Sequence, residues 1–115
     1  AKIYLDLENH LPIGAKVELF FSRDSATLYT SPELLIGPVS INPALIDSSG
    51  LVINSVNTEN IVQLNKNDLQ VFQNLPFYTG GRITFQGTNG RKIKFLSTDY
   101  IQIKSRLELE VKNGG

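Results

Sequence analysis

The chain has 115 residues, with 11 Lys and Arg against 11 Asp and Glu, one His, and no Cys, Met or Trp. That length suits one domain with a real core and is short for two. The lack of cysteine excludes a disulfide scaffold, a thiolate zinc site, an iron–sulfur cluster and a cysteine nucleophile. No apolar run approaches the roughly 20 residues of a membrane-spanning helix.

A nascent chain begins with Met, so Ala1 reads as a processed or excised start and Gly114-Gly115 as a cut linker. The expectation is a single domain over residues 1–115, taken from a longer protein. Neutral overall charge hides an asymmetry. Residues 1–80 hold four cations against eight carboxylates, a balance of −4, and residues 81–115 hold seven against three, a balance of +4. A nucleic-acid groove would interleave aromatic rings with the basic residues so that bases can stack. Only Tyr100 stands near them, and Glu108 and Glu110 interrupt the run. Outward charges that neutralise one another on neighbouring strands explain the asymmetry better, and no nucleic-acid partner is expected.

In chain order, Lys2–Glu8 alternates strictly, with Ile3, Leu5 and Leu7 on one face and Lys2, Asp6 and Glu8 on the other, which predicts a half-buried strand. Pro12 and Gly14 break it. A second strand follows, with Ala15, Val17, Leu19 and Phe21 inward and Phe20 outward, where a cover is needed. Thr27–Thr30 reads as a short third strand. Leu34–Ile41 reads as a bent strand with Val39 and Ile41 inward, and Asp47–Gly50 as a turn. Leu51–Val56 and Asn60–Leu64 are further strands. Asn65 and Asp68 resemble a capping box for one short helix near residues 66–74, with Leu69, Phe72 and Leu75 or Gln73 at helical spacing and Pro76 ending it. Arg82–Gln86 and Lys92–Phe95 alternate on either side of Asn89-Gly90, a hairpin signal. Tyr100–Lys112 forms a last strand of roughly 40 Å. It either bends at Ser105 to serve two sheets or reaches beyond the domain. The whole predicts an all-β fold, an antiparallel β-sandwich of about eight strands with one short helix.

Chemistry finds little purchase. His10 with Asp6 and Glu8 offers two carboxylates and one imidazole, and a loop-end histidine is the plainer reading; no metal and no cofactor are expected. Asn65, Asn67 and Asp68 look like part of a calcium loop without its closing acid, so helix capping accounts for them. A Ser-His-Asp triad would have to use His10, and no Gly-x-Ser-x-Gly elbow occurs. The acids lie on outer strand faces or in turns, where water keeps them ordinary. The chain is expected not to be an enzyme. Gly80-Gly81-Arg82 precedes a strand, so it reads as a flexible loop and not as a phosphate cradle. Prolines, short central strands and a helix also argue against a transmembrane barrel. The aromatics Tyr4, Phe20, Tyr29, Phe77, Tyr78 and Tyr100 read as exposed, a possible ligand or partner surface such as a sugar platform or a neighbouring domain's seat.

Three phrases carry a resemblance. "LENHLPIGAKVELFF" resembles an Asn-x-Leu-Pro-Leu-Gly strand–turn–strand, "LIDSSGLVINSVNTENIVQLNKNDLQVF" an Asp-x-x-Gly-x-Val segment leading to a short helix, and "LSTDYIQIKSRLELEV" a Ser-Asp-Tyr opening of a long final strand. Together they are similar to β-sandwich domains near the C-termini of secreted or lipid-anchored envelope proteins of the Bacteroidetes type. Thr98 is an insertion in that pattern, and His10 replaces a small or polar residue. The resemblance implies an extracellular or cell-envelope setting and gives no residue a chemical role. The resulting expectation is a non-catalytic module in structural assembly or attachment, with other domains of its parent or other subunits as partners. The alternatives are a carbohydrate- or lipid-binding module and a subunit joined to neighbours by β-strand addition.

Overall fold

Two antiparallel sheets follow from the alternation, and the computed structural model describes residues 1–73, 76–88 and 90–109. In chain order the strands are β1 (Lys2–Asn9), β2 (Ala15–Ser22), β3 (Leu34–Ile41), β4 (Leu45–Ile46), β5 (Val52–Asn54) and β6 (Val56–Gln63). The helix α1 (Lys66–Gln73) precedes β7 (Tyr78–Phe85) and β8 (Ile101–Glu108). One sheet runs β6-β1-β8 and the other β3-β2-β7, while β4 and β5 form a separate hairpin. Ile3, Leu5 and Leu7 of β1 pack with Val17 and Phe21 of β2 and with Leu34, Ile36, Val39 and Ile41 of β3 in one buried cluster. The two sheets are therefore the layers of an antiparallel sandwich.

The turn after β1 carries the chain from one layer to the other. Asn9 continues the inward row of Ile3, Leu5 and Leu7 and is fully buried. Its Nδ2 donates to the carbonyls of Ile13 at 3.0 Å and Asn42 at 2.9 Å, and its Oδ1 accepts the Leu11 N–H at 2.9 Å. A polar side chain thus closes the corner that Pro12 and Gly14 open, with its hydrogen-bonding groups satisfied in the dry interior.

In β3 the inward residues change parity, from Leu34 and Ile36 to Val39 and Ile41. A register shift against β2 makes this possible, with Val17 opposite Val39 but Leu19 opposite Ile36. Gly37 supplies the extra residue at φ +101°, and the peptide to Pro38 is cis. A Cβ on Gly37 would meet the Val17 carbonyl oxygen at 2.6 Å, so only glycine fits. The bend expected in Leu34–Ile41 is this bulge.

Helix α1 closes one end of the sandwich. Asn65 Oδ1 accepts the Asp68 N–H at 2.8 Å, and Asp68 Oδ2 accepts the Asn65 N–H at 2.9 Å, a reciprocal capping box. Val71 is buried, and Phe72 meets Phe21 edge-on at 5.3 Å and Phe77 at 5.1 Å. At the far end, Asp47 Oδ1 accepts from the backbone N–H groups of Ser49 at 2.8 Å and Leu51 at 3.1 Å, which folds the Asp47–Gly50 turn as expected.

Several expectations need correction. Thr27–Thr30 is no strand: Asp24 caps a 3-10 turn over Ser25–Thr27, and the Thr30 and Ser31 N–H groups donate back to the Thr27 carbonyl. Lys92–Phe95 is no strand either. The Arg91 N–H closes on the Thr88 carbonyl, after which Lys94 donates to the Gly50 carbonyl at 3.0 Å, so the run docks on the hairpin turn and leaves β7. Gly80 and Gly81 lie inside β7, not in a loop, because the Tyr29 ring crosses the strand where a Gly80 side chain would stand. The strand break falls at Ser55, so β6 begins at Val56. β8 keeps one unbroken register with β1 through Leu5 opposite Ser105 and serves one sheet. The helix expectation at residue 74, Leu75, Asn89, Glu110–Lys112 and Gly114-Gly115 lie outside the described residues.

Candidate functional site

The inner faces are covered unequally. Register places Ile83 beside Val17 and Phe85 beside Ala15, and Leu107 beside Ile3. These pairs share a face, yet Val17 is 1% exposed and Ile83 40%, Ala15 0% and Phe85 54%, Ile3 3% and Leu107 38%. The strands β7 and β8 are both sheet edges with the same sandwich interior between them. Among the described residues, no element closes that side. Each hydrogen-bonds a strand on one side only, β7 to β2 and β8 to β1, so both also offer an unpaired backbone edge. Ile83, Phe85 and Leu107 thus present apolar surface to water on that side.

Opposite charges face one another across strands. Outward Lys2, Tyr4, Asp6 and Glu8 of β1 stand opposite Glu108, Arg106, Lys104 and Gln102 of β8. Arg82 of β7 lies 3.8 Å from Glu18 of β2. The acidic front and basic back of the sequence are therefore neighbours in the sheets.

The six aromatics do not form one platform. Phe20 lies on the outer face of β3-β2-β7 but is buried, not exposed, because Tyr29 meets it edge-on at 5.6 Å and the Arg82 guanidinium covers it at 5.2 Å. Tyr29 and Tyr78 are exposed on that same side. Phe77 turns to the helix end and packs on Phe72. Tyr4 and Tyr100 belong to the other layer. Arg106 stacks over Tyr4 at 4.3 Å, and His10 stacks on Tyr100 at 5.1 Å with the rings 5° from parallel.

Between Tyr4 and Tyr100 the outer face of β6-β1-β8 holds a groove of about 440 Å³ lined by Asp6, Glu8, Asn57, Glu59, Gln102 and Lys104. Two cross-strand rows build its floor: Glu59, Asp6 and Lys104, then Asn57, Glu8 and Gln102. The sequence shows Asp6 and Glu8 sharing a face, but Asn57, Glu59, Gln102 and Lys104 join them only through pairing, which alternation alone does not reveal. A smaller depression of about 130 Å³ lies among Pro12, Gly14, Pro43, Gln86 and Arg91.

His10 sits one row beyond Glu8, outside the lining of this groove. Its Nδ1 pairs with Ser55 Oγ at 2.8 Å, and its Nε2 lies 3.8 Å from Asp99 Oδ1. Asp99 Oδ2 accepts the Leu96 N–H at 2.9 Å, while Oδ1 is buried with no hydrogen-bond partner. The order Ser55–His10–Asp99 has the parts of a triad, but Ser55 lines neither the groove nor the smaller depression. The cluster also ties two segments of the chain together. With the His10 N–H donating to the Tyr100 carbonyl at 2.7 Å, it straps the turn before β8 to the end of β1. The Tyr100 hydroxyl completes the strap by donating to Glu8 Oε2 at 3.2 Å.

At the opposite end of β2, Arg23 Nε donates to Glu33 Oε1 at 2.9 Å. The side-chain hydrogen bond from Arg23 holds the Glu33 carboxyl below the usual glutamate range, helped by the Arg23 N–H. This exposed clamp ties the ends of β2 and β3 and faces neither the groove nor the open side.

Comparison with known proteins brings no match among family models, curated proteins or solved structures. No described helix is long and apolar enough to cross a membrane.

Proposed function

We propose that this chain is a non-catalytic β-sandwich module of an exported envelope or extracellular protein, acting in structural assembly. Its partner is a protein segment that completes the sandwich between β7 and β8. The observation that carries this reading is the exposure of inward-facing Ile83, Phe85 and Leu107, whose hydrogen-bonded neighbours are buried. The envelope setting rests on the resemblance of the three sequence phrases alone. The chemistry of the partner follows from the rim. The charged outward residues of the two edge strands are Arg82 of β7 and Lys104, Arg106 and Glu108 of β8, three cations against one carboxylate. An extended apolar segment flanked by acidic residues, from the parent protein or another subunit, matches both the apolar interior and that charge.

The test is to titrate the ¹⁵N-labelled chain with a synthetic peptide of alternating valine and threonine flanked by glutamates, together with its scrambled and lysine-flanked versions. The expected result is saturable binding of the acidic-flanked peptide, with shifts and new amide protection along β7 and β8. Phe85→Ser should weaken it by about tenfold or more. A chain that ignores the peptide and stays monomeric at high concentration would overturn the reading, since lysines on an edge strand also serve to prevent pairing.

A further inference from the structure

We propose that the outer groove of β6-β1-β8 binds a neutral oligosaccharide. This site lies on the opposite face of its sheet from the open interior and is independent of the assembly reading. Its volume of about 440 Å³ falls within the range of small-ligand sites. The floor mixes the groups that a ring of hydroxyls needs. Asp6, Glu8 and Glu59 accept, Lys104 donates, and Asn57 and Gln102 do both. A carboxylate can take two hydrogen bonds from vicinal hydroxyls, and charge-assisted bonds are stronger than neutral ones.

The electrostatics select against other ligands. Three carboxylates face one ammonium, so uronates, phosphates and nucleic acids are repelled. Asp6 and Glu59 stand directly opposite one another, and among the described residues no cation lies within ion-pair distance of either. Like charges placed so are unfavourable, and donors from a bound sugar would relieve them.

Aromatic rings flank the groove, one strand row outside its lining at either end. Tyr4 lies one row beyond Asp6, fixed by Arg106 on one side of its ring. Tyr100 lies at the other end, fixed by the His10 stack and by its hydroxyl bond to Glu8. From Tyr4 to His10 is six residues of strand, about 20 Å, room for a short run of sugar rings. Flat rings held at both ends of a polar floor suit the apolar faces of pyranoses, and their preorganisation limits the entropy lost on binding.

The experiment is an amide-shift titration of the intact ¹⁵N-labelled chain with hexasaccharides of the glucan, mannan, xylan and chitin types, with polygalacturonate and oligolysine as controls. At least one neutral hexasaccharide should shift the amides of Asp6, Glu8, Asn57, Glu59, Gln102 and Lys104. Tyr100→Ala and Asp6→Ala should each weaken it by about tenfold, while Phe85→Ser, on the open interior of the sandwich, should leave it nearly unchanged. The same spectra report whether each variant is folded. The proposal is overturned if no neutral sugar in the panel shifts the groove, if the shifts fall elsewhere, or if only oligolysine binds, which would make the floor a seat for a basic protein.

Discussion

Strands β1 and β8 are hydrogen-bonded neighbours with the same alternation, yet one buries its apolar row and the other leaves much of its own in water. The same holds for β2 and β7. The difference is position in the layer. The central strands lie against the opposite sheet, whereas β7 and β8 are sheet edges that no other described element covers. Alternation therefore says which face of a strand is inward, and it is silent on whether that inward face is covered.

The largest expected effect comes from the covered side. Leu5→Ala removes a side chain that is 1% exposed in the middle of the cluster and should cost about 3 kcal/mol in urea unfolding, as large-to-small core changes do. Leu107→Ala removes the same group from β8 and should cost roughly half as much, because 38% of its surface stays in water in the folded chain. Equal costs would mean that the open side is closed in solution.

Asn9 sharpens the comparison, because it is polar and lies on the covered side. Asn9→Ala deletes both donors and the acceptor and strands the Ile13 and Asn42 carbonyls, at about 2 kcal/mol. A leucine at the position would fill the space and still leave those groups unpaired, so it should not rescue stability. If it does, the corner is held by packing and not by hydrogen bonds.

A smaller effect belongs to the end of the sandwich. Asn65→Ala removes half of the reciprocal cap on α1 and should cost about 1 kcal/mol, with amide exchange rising first in Lys66–Leu69. The helix packs against Phe21 through Phe72, so faster exchange confined to α1 would show that the end plug opens without the layers.

What was legible in the sequence divides along the same line. The covered strands could be read in large part, since Ile3, Leu5 and Leu7, and Val39 and Ile41 of β3, state their own parity, while Leu34 and Ile36 lie across the bulge where the parity changes. The capping box and the Asp47 turn were legible too, because both are local hydrogen-bonding chemistry. Lys92–Phe95 misled, as four alternating residues form a strand only when a neighbour offers a ladder, and Gly50 offers one hydrogen bond instead. Phe20 misled in a second way: its outward parity was right, but Tyr29 reaches it from a turn. The groove was hidden because its two rows exist only once β6 and β8 flank β1. Asn9 was legible and overlooked. A lone polar residue continuing an apolar row is itself the signal of a buried hydrogen-bonding corner.

The smallest effect lies outside the layers and tests whether turns contribute independently of them. Hydrogen bonds from the Ser49 hydroxyl, first, and then from the Leu51 N–H hold the exposed Asp47 carboxyl below the ordinary aspartate range. A carboxyl lowered in the folded state binds fewer protons there than in the unfolded chain. Its contribution is therefore present above the ordinary value and is lost as pH falls through the lowered one. Asp47→Asn should flatten the acid fall in Tm below about pH 4, and Ser49→Ala should flatten it in part because the backbone donors remain. Neither change should alter the gap between Leu5→Ala and Leu107→Ala. If Asp47→Asn shifts that gap, the hairpin and its docked Lys92–Lys94 run support the open side, and the contrast between β1 and β8 depends on the turn as well as on position in the sheet.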